Sequence, residues 1–253
     1  MSKRASTSTG PLALVGGDEL NPGNEPQDRV LVAAAGEGPA FVLATAAGRQ
    51  HPEAAVRHAR AWFARLGLDV VELPAIGRRD ANSPSNAARA REGRFFYLVG
   101  GDPGRVPATL AGTQVWEAIV AAWRDGAALA GSSAGAMALG EWVLIRDRHP
   151  GDVSRRYAPG LGLIPGIAVI PHFDTFGQNW VGSALAAAPR KDAVLVGVDE
   201  RSAALWQDGA WKSYGPGGVS VFAGDEEHPF SPRSEIKGIP QPSVLGAAGL
   251  GNS

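Results

Sequence analysis

The stretch Ala127-Ala-Leu-Ala-Gly131-Ser132-Ser133-Ala134-Gly135-Ala136-Met137-Ala138 joins a short apolar run, a turn of small residues and a run of helix formers. This order predicts a buried strand that turns sharply into a helix. Residues 131–135 fit the pattern Gly-x-Ser-x-Gly, whose central serine sits on a strained turn at the carboxyl edge of a sheet. Glycine is expected on both sides because larger side chains would collide with the neighbouring strand and helix. Ser133 is therefore the candidate nucleophile.

The same five residues are also compatible with a simple flexible turn, because Gly, Ser and Ala are common in this chain. The apolar strand before the turn and the helix formers after it favour the nucleophile. We expect the adjacent Ser132 to be a strand-end hydroxyl that bonds to the backbone.

Apolar runs and helical periodicity alternate along the rest of the chain. Strands are predicted at 12–16, 40–45, 69–73, 94–99, 142–145, 166–173, 193–200 and 219–222, and helices at 51–66, 81–92, 113–126 and 176–188. Residues 22–28 and 146–159 are expected to be a turn-rich segment and a charged loop. A hairpin is predicted around Asp208-Gly209. The fold class is α/β, a mostly parallel sheet with helices on both faces and a C-terminal β-hairpin.

No linker divides the chain, so a single domain is expected over 1–253. Within it we expect a disordered leader at 1–9, a catalytic α/β domain at 10–223, and a loose tail rich in Pro, Gly and Ser at 224–253.

Composition excludes several classes of function. The net charge of −1 gives no electrostatic reason to bind nucleic acid or an anionic membrane, and the chain has no cysteine for a disulfide or a thiolate nucleophile. There is no run of 18 apolar residues and no signal-peptide pattern, so we expect a cytoplasmic protein. No phosphate-binding loop, dinucleotide-binding motif or metal-ligand spacing is present, so neither a cofactor nor a metal is expected.

A serine nucleophile needs a base. Of the five histidines, only His172 ends a predicted buried strand; the others, His51, His58, His149 and His228, lie on an exposed helix, in the charged loop or in the tail. His172 is the candidate base, although a strand-end histidine can also simply bond to the backbone.

The acid that orients this base is less clearly indicated. Glu200 has a narrow lead, because a glutamate at the end of a buried strand needs a partner to offset its desolvation. The alternatives are the other carboxylates at strand ends or in loops, namely Asp147, Asp152, Asp174 and Asp199. We expect the nucleophile, base and acid to converge at one rim of a single sheet.

Two backbone amides should stabilise an oxyanion at this rim. One is Ala134, directly after the nucleophile. The second is Gly101, in the segment Gly100-Gly101-Asp102 that ends another predicted strand. This segment could equally be a plain strand-to-helix turn.

Four motifs together resemble peptidase family S51, which includes aspartyl dipeptidase and cyanophycinase. They are Gly100-Gly-Asp102, Gly131-Ser-Ser-Ala-Gly-Ala136, Ile170-Pro-His-Phe173 and Gly197-Val-Asp-Glu-Arg-Ser-Ala-Ala204, and the resemblance covers about residues 10–222. The resemblance implies a class I glutamine amidotransferase-like (flavodoxin-like) fold. It also implies a Ser133–His172–Glu200 triad, with Gly101 and Ala134 as the oxyanion hole.

The chain departs from the family around its substrate. Pro103 follows Gly-Gly-Asp where cyanophycinase-like sequences carry Gln, and the arginines that follow His-Phe in those sequences are missing. No basic residue follows His172 before Arg190, although peptidase E uses one there to hold an aspartate side chain. Thr175, Gln178, Asn179 and Trp180 are expected to shape a different pocket. The candidate substrate-binding residues are Gly100, Gly101, Asp102, Ala134, Asp174 and Gln178.

These observations predict a serine-type hydrolase that cleaves a peptide or amide bond in a small peptide-like substrate. The alternatives are a non-catalytic amidotransferase-like binding module, and an amide or ester hydrolase or acyl transferase of a biosynthetic pathway. A homodimer is possible, because the predicted hairpin carries Trp206 and Trp211, which could form an interface or a core edge.

Overall fold

A computed structural model describes residues 9–146 and 154–243. Its strands are β1 (Leu12–Val15), β2 (Ala40–Leu43), β3 (Val70–Glu72), β4 (Phe95–Leu98), β5 (Ala128–Ser132), β6 (Gly140–Arg146), β7 (Arg155–Pro159), β8 (Ile164–Ile170), β9 (Val194–Val198), β10 (Ala203–Gln207), β11 (Ala210–Tyr214), β12 (Val219–Ala223), β13 (Glu226–Phe230) and β14 (Glu235–Ile236). Its helices are α1 (Glu25–Ala35), α2 (Pro52–Arg65), α3 (Arg78–Ala81), α4 (Pro84–Glu92), α5 (Arg105–Leu110), α6 (Gln114–Arg124), α7 (Ala134–Leu139) and α8 (Val181–Ala186), with a 3₁₀ turn at Gly177–Trp180.

The strands form two mixed sheets. The first has the order β14-β11-β10-β1-β5-β4-β2-β3, and the second has the order β13-β12-β9-β8-β6-β7. In the first, β1, β5, β4, β2 and β3 are parallel; in the second, β6, β8 and β9 are parallel. The predicted α/β class is confirmed, and antiparallel strands extend both sheets at their edges.

The expectation of a single sheet is wrong. After β5 and the short helix α7 the chain leaves the first sheet and begins the second with β6, and it returns at β10. An apolar run indicates that a strand is buried, but it does not indicate which sheet the strand joins, because that choice depends on partners distant in sequence. Ser133 lies at this crossing between the sheets.

Two apolar clusters hold these layers together. One packs α1 and α2 on one face of the first sheet, through residues such as Leu31, Trp62 and Phe63. The other lies on the opposite face and contains buried residues of both sheets, including Leu12, Leu129, Ile167 and Leu195, together with α4, α6 and α7. The second cluster therefore joins the two sheets into one continuous core.

Several elements were not predicted. Helix α1 begins inside the segment expected to be turn-rich, because Pro26 is compatible with the first turn of a helix. Helix α5 was also missed. The strand β7 lies in the expected charged loop, and β13 and β14 lie in the expected loose tail.

The three missed strands are all at sheet edges. Edge strands tolerate charge and proline, so sequences such as Glu-Glu-His-Pro-Phe in β13 lack the apolar signal of a strand. The prediction of a loose tail is therefore wrong over 226–236. The expected leader at 1–8, the loop residues 147–153 with Asp147, His149 and Asp152, and the end of the tail at 244–253 lie outside the described residues.

The predicted hairpin is confirmed. Strands β10 and β11 pair antiparallel, and Asp208 and Gly209 both have positive φ, as a tight two-residue turn requires. The rings of Trp206 and Trp211 lie 5.6 Å apart, and the two residues are only 8% and 2% exposed. They form the edge of the core. Among the helices of 9–146 and 154–243, none is long and apolar enough to cross a membrane.

One carboxyl group is buried between α1 and α2. Asp28 is 0% exposed, its Oδ2 accepts a 2.7 Å hydrogen bond from Trp62 Nε1, and its Oδ1 has no hydrogen-bond partner in the described chain. Desolvation raises the pKa of Asp28 to about 7, although the hydrogen bond from Trp62 opposes the rise. Asp28 is thus a buried acid that keeps its proton well above the ordinary range of a carboxyl.

We expect the Asp28→Asn variant to lose a pH dependence of stability. Between about pH 4 and 7 the folded protein retains the Asp28 proton while the unfolded chain releases it, so the free energy of unfolding falls as pH rises, by at most about 1.4 kcal/mol per pH unit. The asparagine still offers an oxygen to Trp62 and has no proton to lose. The stability of the variant relative to wild type should therefore increase from pH 4 to 7 and level off above. Denaturant unfolding at several pH values measures this difference; a constant difference would contradict a protonated Asp28.

Candidate active site

Ser133 sits on a strained turn between β5 and α7, with φ 47° and ψ −112°. The turn is tight enough to require its glycines. A Cβ on Gly131 would lie 2.4 Å from the backbone of Gly135, and a Cβ on Gly135 would lie 2.3 Å from the carbonyl oxygen of Leu98 in β4. The predicted crowding against helix and strand is therefore present, and the turn lifts the serine side chain out of the sheet.

Three predicted side chains form a hydrogen-bonded chain. Ser133 Oγ lies 3.1 Å from His172 Nε2, and His172 Nδ1 lies 2.7 Å from Glu200 Oε1. The side chains of His172 and Glu200 are about one-fifth exposed. With its Nδ1 proton donated to the carboxylate, the imidazole turns the Nε2 lone pair toward the serine hydroxyl, which is the arrangement that general-base activation of a serine needs.

The end of β1 holds the backbones of all three segments. The carbonyl oxygens of Val15, Gly16 and Gly17 accept hydrogen bonds from the amides of Ser133 (2.9 Å), His172 (2.6 Å) and Arg201 (2.9 Å), respectively. Ser133 follows the first sheet, whereas His172 and Glu200 follow β8 and β9 of the second. Three consecutive carbonyls thus bring side chains from two sheets together.

Gly17 makes room for the imidazole. Its φ is 118°, and a Cβ there would lie 2.3 Å from Cε1 of His172. The ring therefore packs directly on the backbone of the β1–α1 loop. On its other side it stacks on the ring of Phe176, at 4.8 Å between centroids and 22° between planes. These two contacts fix the plane of the imidazole.

Ser133 and His172 line a cavity of about 600 Å³. Gly101 and Ala134 both line it, and neither backbone amide donates a hydrogen bond to another group in residues 9–146 and 154–243. Gly101 has φ 142°, and a Cβ there would lie 2.5 Å from the backbone of Ala46. The two predicted oxyanion donors therefore line the same cavity as the nucleophile, and their role in an oxyanion hole stays a prediction.

Gly100 does not share this role, because its amide donates a 2.7 Å hydrogen bond to Glu19 Oε1. The other oxygen of Glu19 accepts a 2.9 Å hydrogen bond from the hydroxyl of Ser132. The prediction that Ser132 bonds to the backbone is therefore wrong. Glu19 was missed, although its place just after the strand end at Gly16-Gly17 puts it on the same carboxyl edge.

Two of the alternative acids, Asp174 and Asp199, accept hydrogen bonds from backbone amides rather than from the imidazole. Asp174 Oδ1 accepts a 2.9 Å hydrogen bond from the amide of Glu200, and Asp199 Oδ2 accepts one of 2.7 Å from the amide of Gly218. Burial raises the pKa of Asp199. Thr175 Oγ1 lies 3.4 Å from Glu200 Oε1 and 3.1 Å from the carbonyl oxygen of His172, to which it donates. Asp174 thus contacts the backbone of Glu200, and Thr175 lies beside its carboxylate.

The predicted substrate-binding residues divide between two places. Asp102 lines the cavity beside Ser133, and its carboxylate accepts the amide of Gly104. Gln178 and Asp174 instead line a separate cavity of about 390 Å³, together with Phe173. The structure therefore does not bring Gln178 to the nucleophile. A six-residue spacing from the base cannot show which side chains of the following turn line the cavity.

One wall of the cavity consists of aromatic and cationic side chains. The exposed ring of Phe176 contacts the ring of Trp180 at 5.6 Å, and the guanidinium of Arg155 lies 4.0 Å above Trp180. Arg146 lines the same cavity. Burial and the charge of Arg146 lower the pKa of Arg155. Arg155 was missed because it lies in β7, the edge strand that resembles a charged loop.

The remaining histidines in the described chain lie elsewhere. His51 and His228 are paired with neighbouring glutamates at the surface, and His58 is exposed on α2. None of the three lines the cavity beside Ser133.

Fold and site together define a class: an α/β protein with the serine, histidine, carboxylate and backbone-amide arrangement of a serine hydrolase. The chain belongs to peptidase family S51, whose model matches residues 14–213.

Relatives and solved structures agree with this membership. The chain is 30% identical to cyanophycinases of Synechococcus elongatus and Thermosynechococcus vestitus over 181 residues, which are 68% of this chain and 55% of each relative. It thus matches about half the length of these relatives. A peptidase from an acI-B1 Actinobacterium superposes with a TM-score of 0.79 at 30% identity, covering 91% of this chain and 98% of that one. A peptidase E candidate from Listeria monocytogenes EGD-e shares the fold, with a TM-score of 0.58 at 15% identity over 88% of this chain and 99% of that one.

The packing of His172 on Gly17 predicts the effect of a single methyl group. Gly17→Ala should push the imidazole away, so that Nε2 leaves hydrogen-bonding range of Ser133 Oγ, beyond about 3.5 Å. The matched control is Gly36→Ala, which also has positive φ but has no atom within 4 Å of the added Cβ. Crystal structures of both variants measure the distance; an unmoved ring in Gly17→Ala would show that the backbone yields instead.

Proposed function

We propose that this protein hydrolyses an amide bond of a small peptide-like substrate through a covalent acyl-enzyme. The observation that carries the proposal is the hydrogen-bonded chain from Ser133 through His172 to Glu200 at the mouth of a cavity that also presents two backbone amides. Membership of peptidase family S51 supports it.

In the proposed first step Ser133 Oγ attacks the substrate carbonyl while His172 Nε2 takes the hydroxyl proton. Glu200 keeps the Nδ1 proton in place and stabilises the imidazolium that forms. The amides of Gly101 and Ala134 donate to the oxyanion of the tetrahedral intermediate, and the positive end of the dipole of α7 adds to their effect.

The imidazolium then gives its proton to the leaving amine, so that the C–N bond breaks and the acyl group stays on Ser133. Water enters the space vacated by the amine, and His172 accepts its proton as it attacks the ester. The collapse of the second intermediate returns the proton to Ser133. Asp174 serves this sequence only by fixing the backbone of Glu200.

The charge of the cavity indicates the class of substrate. Arg146 and Arg155 both line it, and the guanidinium of Arg155 lies 4.0 Å above the ring of Trp180, so this side of the cavity is positively charged. We propose that the substrate carries a carboxylate near the scissile amide. The relatives named cyanophycinase are consistent with a peptide-like substrate, and Arg146 of β6 and Arg155 of β7 supply cations that do not follow His172 in the sequence.

The triad proposal is tested by comparing two isosteric substitutions. Glu200→Gln removes the charge that stabilises the imidazolium, so kcat for amide hydrolysis should fall by roughly 10³–10⁴-fold. Asp174→Asn keeps an oxygen for the Glu200 amide and should stay within about threefold of wild type. Rates are measured on a dipeptide library with the purified protein.

Labelling by a fluorophosphonate provides a second measurement. Wild type should be labelled stoichiometrically at Ser133, and Ser133→Ala and His172→Ala should not be labelled. A wild-type protein that resists labelling, or equal activities for Glu200→Gln and Asp174→Asn, would refute the proposal.

The cationic wall predicts a change in substrate preference. Arg155→Met should lower kcat/KM by about 10- to 100-fold for acidic substrates, because it removes one of the two positive charges that line the cavity, and should change it little for neutral ones. The matched control is Arg190→Met, because Arg190 lies 4.9 Å above Trp142 outside this cavity. Equal losses on acidic and neutral substrates would contradict a carboxylate-binding role.

A further inference from the structure

We propose that Glu19 is a positioning residue whose carboxylate fixes the two backbone segments that carry the oxyanion-hole amides. The proposal rests on the function proposed above, and it concerns a side chain that contacts neither the cavity nor the reacting atoms. Glu19 follows β1 in the loop that leads to α1.

Each oxygen of the Glu19 carboxylate holds one side of the oxyanion hole. Oε1 accepts the amide of Gly100 at 2.7 Å, and Oε2 accepts the hydroxyl of Ser132 at 2.9 Å. Gly100 directly precedes Gly101, and Ser132 directly precedes the Ser133–Ala134 pair. One carboxylate therefore connects the two segments that carry the two donor amides.

The peptide that presents the Gly101 amide is fixed at both ends. The Gly100 amide is held by Glu19, and the Asp102 amide donates to the carbonyl oxygen of Ala46 at 3.0 Å. Gly100 fits closely in this arrangement, because a Cβ there would lie 3.0 Å from Glu19 Oε1 and 3.3 Å from Ser133 Cβ. Without Glu19 the first of these anchors is lost and Gly101 is free to turn.

The loop that carries Glu19 is itself held in an unusual conformation. Asp18 and Leu20 on either side of Glu19 have φ of 49° and 63°. The side-chain amide of Asn24 donates to the carbonyl oxygen of Asp18 at 2.9 Å, and the carboxylate of Asp18 lies 3.4 Å from Arg201. Non-glycine residues adopt positive φ at a cost, so surrounding contacts must maintain it. These contacts hold the loop so that the Glu19 side chain reaches Ser132, just before the turn that carries Ser133.

Positioning of this kind has a kinetic consequence. Oxyanion-hole amides accelerate the reaction because they are already oriented before charge develops, and loss of one such donor costs about 10²–10³-fold in kcat. Loosening a donor without removing it should cost less, about 10- to 100-fold, and should affect kcat rather than KM.

The test compares Glu19→Ala with Glu19→Gln. The alanine removes both hydrogen bonds, whereas the glutamine keeps an oxygen for the Gly100 amide and an NH₂ group that can donate to the Ser132 hydroxyl oxygen. We expect Glu19→Ala to lower both kcat and the rate of fluorophosphonate labelling by about 10- to 100-fold, with KM within about threefold. Glu19→Gln should restore both to within about threefold.

Glu141→Ala is the matched control. Glu141 Oε2 accepts the amide of Gly166 at 2.7 Å, the same kind and length of bond, at a site away from the cavity. Its labelling rate should equal that of wild type. If Glu19→Ala does not fold, Glu19→Asp replaces it, because a side chain one methylene shorter cannot reach both partners.

Hydrogen exchange at the Gly100 amide separates this proposal from the proposed function. The amide should exchange slowly in wild type and Glu19→Gln and at least tenfold faster in Glu19→Ala, whether or not the protein is an enzyme. Equal exchange in wild type and Glu19→Ala, labelling of Glu19→Ala at the wild-type rate, or a Glu19→Gln variant as slow as Glu19→Ala would each overturn the positioning role. Absence of labelling in wild type, with the exchange difference intact, would refute the hydrolase alone.

Discussion

The site depends on three consecutive backbone carbonyls at the end of β1. Val15, Gly16 and Gly17 accept the amides of Ser133, His172 and Arg201, so the segments that carry the serine, the imidazole and the carboxylate are all attached to one short piece of chain. Backbone hydrogen bonds of this kind are less adjustable than side-chain contacts, because the strand is itself held between β10 and β5. The distances of 3.1 Å from Ser133 Oγ to His172 Nε2 and 2.7 Å from His172 Nδ1 to Glu200 Oε1 follow from this attachment.

This attachment explains why two sheets can share one site. The serine belongs to the crossing from the first sheet to the second, and the histidine and glutamate end strands of the second sheet. A site built across two bodies requires a fixed contact between them. The apolar cluster common to both sheets supplies the bulk of that contact, and the β1 carbonyls define its geometry at the site.

The sequence predicted those features that depend on residues close together along the chain. The serine turn, the strand that ends in His172 and the Asp-Gly hairpin each leave a short signature, because tight turns and buried strands restrict the residues they can contain. Arg155 leaves none, and Glu19 leaves only its position just after a predicted strand end. The role of Glu19 depends on Gly100 and Ser132, which are 81 and 113 residues away along the chain. Arg155 lies on an edge strand whose charged sequence is also typical of a loop, and assignment of strands to two sheets depended on equally distant pairings.

The two sides of the cavity are therefore held by different parts of the fold, one by buried strands and the other by an edge strand and a short turn. The reactive groups follow buried parallel strands and are tied by backbone bonds to β1, so a substitution that moves one of them strains the core. The opposite wall consists of side chains on the edge strand β7 and on a single 3₁₀ turn, where Arg155 and Trp180 support each other. Edge strands and short turns accept new side chains without repacking the sheets. The side chains of this wall can therefore change while the serine, histidine and carboxylate stay in register.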